Sequence, residues 1–90
     1  MISSRNILRH ELIGLDVLVA RASNPAHVGL SGRIVGETRN TLLIQTGRGE
    51  KRIPKRLSVF RLWLPDGTTV DIDGSSIEMQ PERRISMRIK

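Results

Sequence analysis

The 90-residue chain contains no cysteine and no tyrosine. Without cysteine there are no disulfides and no thiolate metal sites, and a reducing compartment is expected. Aromatics are nearly absent too, with Phe60 and Trp63 the whole set. Modules that read single strands by stacking bases present several aromatics on one surface, which excludes that mode here. The two histidines, His10 and His27, are too few and too far apart to suggest a metal site. No stretch approaches the ~18 consecutive apolar residues of a membrane span. The segment MISSRNILRHELIG also lacks an apolar run of signal-peptide length. These absences predict a soluble, cytoplasmic domain with no membrane partner.

Positive charge is abundant. The formal net charge is +6, and 12 of the 15 basic residues are arginine. Arginine's planar fork grips phosphates bidentately and stacks on bases, so the bias points towards nucleic acid. Ninety residues suit one small domain with a single core.

Hydrophobic periodicity divides that domain into short strands. Leu15 to Ala22 alternates with Val17 and Val19 on one side. Asn24-Pro25 is a turn signal, and Gly29 and Gly32 mark a tightly bent loop. Arg33 to Thr38 and Thr41 to Thr46 read as strands joined through Arg39-Asn40, with Asn40 suited to a left-handed turn position. Lys51 to Ile53 is a short edge strand interrupted by Pro54. Leu57 to Leu64 is the strongest strand, with Phe60, Leu62 and Leu64 on the core face and Val59, Arg61 and Trp63 opposite. Pro65-Asp66-Gly67 turns the chain into Thr68 to Asp73, where Val70 and Ile72 point inward. The fold class predicted is mainly β: an Sm-like or SH3-like antiparallel barrel of about six strands. Its expected bounds are residues 14–80, after an N-terminal helical or flexible arm (1–13) and before a basic C-terminal tail (81–90).

The charges are segregated. From Arg48 to Arg61 there are six basic residues and one acid; from Leu62 to Glu82 there are five acids and no base. Such clustering carries self-repulsion that a bound polyanion relieves. The turn and the basic strand display Arg39, Asn40, Arg48, Lys51, Arg52, Lys55 and Arg56 as candidate RNA contacts. With so few aromatics, binding should rest on phosphate and ribose contacts. Trp63 is left open between core, partner contact and stacking platform. No Ser/His/Asp or Cys/His arrangement and no phosphate-cradling glycine loop occurs, so no active site is expected in the chain itself. Asp71 and Asp73 share one strand face and are read as its polar exterior, with a two-carboxylate metal site as the minor alternative. Glu37 beside Arg39 suggests a turn-stabilising ion pair.

An ordered series of residues resembles a known family. It runs through Arg5 to Gly14, Asn24-Pro25, Gly29, Gly32, Glu37-Thr38-Arg39-Asn40-Thr41, Ile53-Pro54-Lys55, Phe60, Pro65-Asp66-Gly67, Asp73-Gly74 and Pro81 to Arg84. Together they look like archaeal ribonuclease P protein component 1, the homologue of the eukaryotic Pop4 subunit. The resemblance implies a non-catalytic, RNA-binding subunit of an endoribonuclease whose RNA cuts the 5′ leader from precursor tRNA. The chain itself would bind no cofactor, with Mg²⁺ at the catalytic RNA. Implied partners are the ribonuclease P RNA, a small zinc-ribbon subunit, the other ribonuclease P proteins and, indirectly, precursor tRNA; the isolated chain would be a monomer. In that frame Arg83, Arg84 and Arg88 would add RNA contacts from the tail, while Leu8, Leu12, Asp71, Asp73 and Glu78 would face the protein partner. The alternative is an Sm-type or ribosomal-type barrel of another ribonucleoprotein.

Overall fold

Alternating burial along each segment builds one antiparallel sheet. In a computed structural model, which describes residues 12–78, the strands are β1 (Asp16–Arg21), β2 (Ser31–Glu37), β3 (Thr41–Thr46), β4 (Gly49–Pro54), β5 (Val59–Trp63) and β6 (Thr69–Asp73). They lie in the order β4-β3-β2-β1-β5-β6. Val17 and Val19, Ile34, Leu42 and Ile44, Ile53, Phe60 and Leu62, and Ile72 point to one side and form the core with Leu12, Leu15, Leu64 and Ile77. Two 3-10 turns, Pro25–His27 and Gly74–Ile77, complete the described elements. Each starts on a carbonyl-bearing side chain: Asn24 accepts from the Ala26 N–H and Asp73 from the Ser75 N–H.

The expected six antiparallel strands are present, but the ladder is open, because β4 and β6 are edges. The connector between β4 and β5 extends the ladder at each of its ends by one step. Lys55 N donates to Asn40 O at one end, and Gly74 N donates to Ser58 O at the other. The first bond continues the Thr41–Pro54 pairing and the second the Val59–Asp73 pairing, so the sheet is not closed into a barrel.

Several local expectations change. β5 begins at Val59, not Leu57: Leu57 has φ 61, a left-handed value that a strand does not hold, and it is 70% exposed. Asn40 does not have positive φ. The turn is held instead by Thr38, whose side-chain oxygen accepts from the Thr41 N–H and is hydrogen-bonded to the Thr41 hydroxyl. Leu12, expected at a protein partner, is fully buried in the chain's own core and unavailable to one. The expected helical or flexible arm as far as residue 11 and the expected basic tail, with Leu8, Arg83, Arg84 and Arg88, lie outside the described residues.

Candidate nucleic-acid interface

The β3–β4 hairpin carries most of the candidate cations, and its register decides which of them can act together. Thr41 pairs with Pro54 at one end and Thr46 with Gly49 at the other. Five strand steps separate these ends, roughly 17 Å at ~3.3 Å per residue. Arg48, in the Thr46–Gly49 turn, is thus remote from Arg39 and Arg56. Lys51 pairs with buried Ile44, whereas Arg52 pairs with Leu43, so the two cations leave opposite faces of the edge strand. Both are exposed. On an unpaired edge such charges also discourage strand addition.

Arg39, Asn40 and Arg56 do converge. With Thr41, Pro54 and Glu78 they line an open pocket of about 430 Å³. Arg56 Nη2 lies 3.0 Å from Glu78 Oε1. Arg39, Arg48, Lys51 and Arg52 carry no ion pair among the described residues.

Lys55 is the correction with the largest consequence. Expected among the RNA contacts, it is completely buried. Its Nζ donates to Glu37 Oε2 at 2.8 Å, to Thr38 O at 2.7 Å and to Ile77 O at 2.9 Å. Glu37, with a side chain 1% exposed, pairs with Lys55 rather than with Arg39. One ammonium therefore ties the 38–41 turn, the connector after β4 and the end of the last 3-10 turn, which are the three walls of the pocket. Gly74 lets the third wall approach: a Cβ there would sit 1.7 Å from Lys55 O. Lys55 is thus withdrawn from the surface and holds the pocket's walls in place.

The acid-rich segment is not a bare acidic face. Asp71 accepts from Arg61 Nε at 2.9 Å and Nη2 at 3.3 Å. That side-chain hydrogen bond holds the Asp71 carboxyl below its ordinary value. Any stability it gives is present above the ordinary carboxyl range and lost as pH falls through the lowered value. Asp73 caps the 3-10 turn through the Ser75 N–H and hydroxyl, and Glu78 sits in the cationic pocket. Asp71 and Asp73, the two carboxylates of the metal alternative, thus accept from Arg61 and from the Ser75 N–H respectively. Among the described residues no group of three or more His, Cys, Asp or Glu is placed to hold a metal ion, and no helix is long and apolar enough to cross a membrane. Trp63 stands on the outer face, 40% exposed, beside Asp16, Val17, Ser31 and Gly32, in a second open pocket of about 320 Å³. It is neither core nor next to the cationic pocket's lining.

Fold and site together define a small antiparallel β module with a guanidinium-lined pocket at one end of its edge hairpin. The chain belongs to the ribonuclease P/MRP subunit p29 family, whose model matches residues 5–87. It is 47% identical to ribonuclease P protein component 1 of Methanothermobacter thermautotrophicus, across all of this chain and 98% of that one. The protein of the same description from Thermofilum pendens is 44% identical over 98% of this chain and 95% of its own length. The solved structure of Mth11, a homologue of human RNase P protein Rpp29, superposes with a TM-score of 0.63 at 49% identity, covering 86% of this chain and all of that one.

Proposed function

We propose that this protein is a non-catalytic, RNA-binding subunit of ribonuclease P that supports the catalytic RNA in removing the 5′ leader from precursor tRNA. The observation that carries this reading is near full-length identity of 47% to ribonuclease P protein component 1. The exposed cations around the Arg39–Arg56 pocket support RNA as the ligand. Mg²⁺ belongs in this scheme to the catalytic RNA. The correspondence to the eukaryotic Pop4 subunit, pairing with the small zinc-ribbon subunit and a cytoplasmic location follow from the same resemblance.

Phosphate contacts would come from Arg39 and Arg56 in the pocket and from Arg52 on the neighbouring edge strand, with Asn40 offering its amide to ribose. Each phosphate neutralised releases counterions, so the affinity must fall steeply with salt. The Arg39→Ala/Arg52→Ala/Arg56→Ala chain is expected to bind ribonuclease P RNA more weakly, with the slope of log K against log salt shallower by about two to three units. An unchanged slope would remove this surface from the RNA interface.

A further inference from the structure

The pocket combines two arginines in unequal states. Arg39 is exposed and carries no ion pair among the described residues, whereas Arg56 is already engaged by Glu78 at 3.0 Å. The two partners also differ in exposure. The Arg56 side chain is 72% exposed, while that of Glu78 is only 21% exposed. The backbone of Glu78 is fixed from inside: its N–H donates to Ser75 O at 3.4 Å, and the preceding carbonyl, Ile77 O, accepts from the buried Lys55 ammonium. A carboxylate so placed uses the same guanidinium fork that a phosphate would use. At about 430 Å³ the pocket lies within the roughly 300–1,000 Å³ range of small-ligand sites.

We propose that this pocket seats one phosphodiester of the RNA between Arg39 and Arg56, and that Glu78 occupies Arg56 in the free protein until the phosphate displaces it. The inference rests on the RNA-binding reading above. Exchange requires only the exposed Arg56 side chain to turn from one anion to another. An isolated anion must compete with a carboxylate already in place, while a phosphodiester gains a second guanidinium at Arg39. Glu78 thereby sets a threshold against weak anions and lowers the affinity for RNA.

The test is equilibrium binding of ribonuclease P RNA across a range of salt by six chains: wild type, Glu78→Gln, Glu78→Ala, Arg39→Ala, Arg56→Ala and the Glu78→Gln/Arg56→Ala double variant. Glu78→Gln is expected to bind about two- to five-fold more tightly, the scale of one exposed ion pair released, and Glu78→Ala should do the same. In the Arg56→Ala background the gain should vanish, because no guanidinium is left to release. An equal gain in both backgrounds would show general charge repulsion and overturn the proposal. So would no gain at all while Arg56→Ala still weakens binding, a result that leaves the RNA surface standing. Should Arg39→Ala and Arg56→Ala both leave affinity and salt slope unchanged, the RNA-binding reading itself fails at this site.

Discussion

Replacing Lys55 with methionine should destabilise the domain by about 3–5 kcal/mol, the usual effect of removing one member of a buried ion pair. Methionine keeps most of the length and apolar stem but supplies no donor. Glu37 would lose its ammonium with a side chain only 1% exposed, and the carbonyls of Thr38 and Ile77 would lose the same donor. At roughly 0.05–0.15 kcal/mol per residue, a domain of this size has about 4–14 kcal/mol in total. The variant is therefore expected to unfold at a much lower denaturant concentration, with little change in the slope of the transition. Removing both charges in Lys55→Met/Glu37→Leu should recover part of the loss, because the Glu37 carboxylate no longer lies buried beside a neutral side chain. A surface lysine that touched RNA would behave differently. Its replacement would leave the midpoint unmoved and lower the salt slope of RNA binding by about one unit.

Gly74→Ala should be the second severe change. The added methyl would meet Lys55 O at 1.7 Å and Lys55 C at 2.6 Å, both backbone atoms that no rotamer change can move aside. Retreat is blocked as well, since Gly74 N donates to Ser58 O at 2.7 Å. Overpacking of this kind typically destabilises by about 1–3 kcal/mol, and a rigid obstacle places the expected loss at the upper end. Gly47→Ala is the matched control: nothing lies within 4 Å of its would-be Cβ and its φ is not positive. Thermal unfolding of the two variants should separate them clearly. Equal stability would mean that the third wall does not pack on Lys55 as described.

Much of the fold was legible because strand burial follows a period of two. Val17 and Val19, Leu42 and Ile44, and Phe60, Leu62 and Leu64 all face the core as their alternation predicts. β3 runs from Thr41 to Thr46, as the pattern indicates. Glu37 was not legible because a register shift lies between Ile34 and Gly36. Strict alternation from buried Ile34 would turn Glu37 outward; the extra residue resets the phase and pairs it with buried Leu42. Lys55 did carry a signal. It sits two residues after buried Ile53, on the same parity, but Pro54 and the neighbouring Arg52 and Arg56 make the run read as a charged surface. Its partners are 17, 18 and 22 residues away in sequence, beyond any local pattern. Of the site residues, Arg39, Asn40 and Arg56 were both predicted and brought together. The hairpin's length separates Arg48 from them, and strand alternation separates Lys51 from Arg52. Glu78, read as part of an acidic partner face, became part of the pocket because Lys55 draws Ile77 against the 38–41 turn.

The central claim is that this chain acts on catalysis only through RNA, by way of the Arg39–Arg56 pocket. It is tested most directly by precursor-tRNA cleavage at low Mg²⁺ with the cognate ribonuclease P RNA and the other protein subunits. The assay is run with no added chain, with wild type, and with Arg39→Ala/Arg56→Ala. Wild type is expected to raise cleavage or lower the Mg²⁺ requirement only when the RNA is present, and the double variant to need a higher concentration for the same effect. Cleavage by the chain without RNA would contradict the account, as would a double variant indistinguishable from wild type.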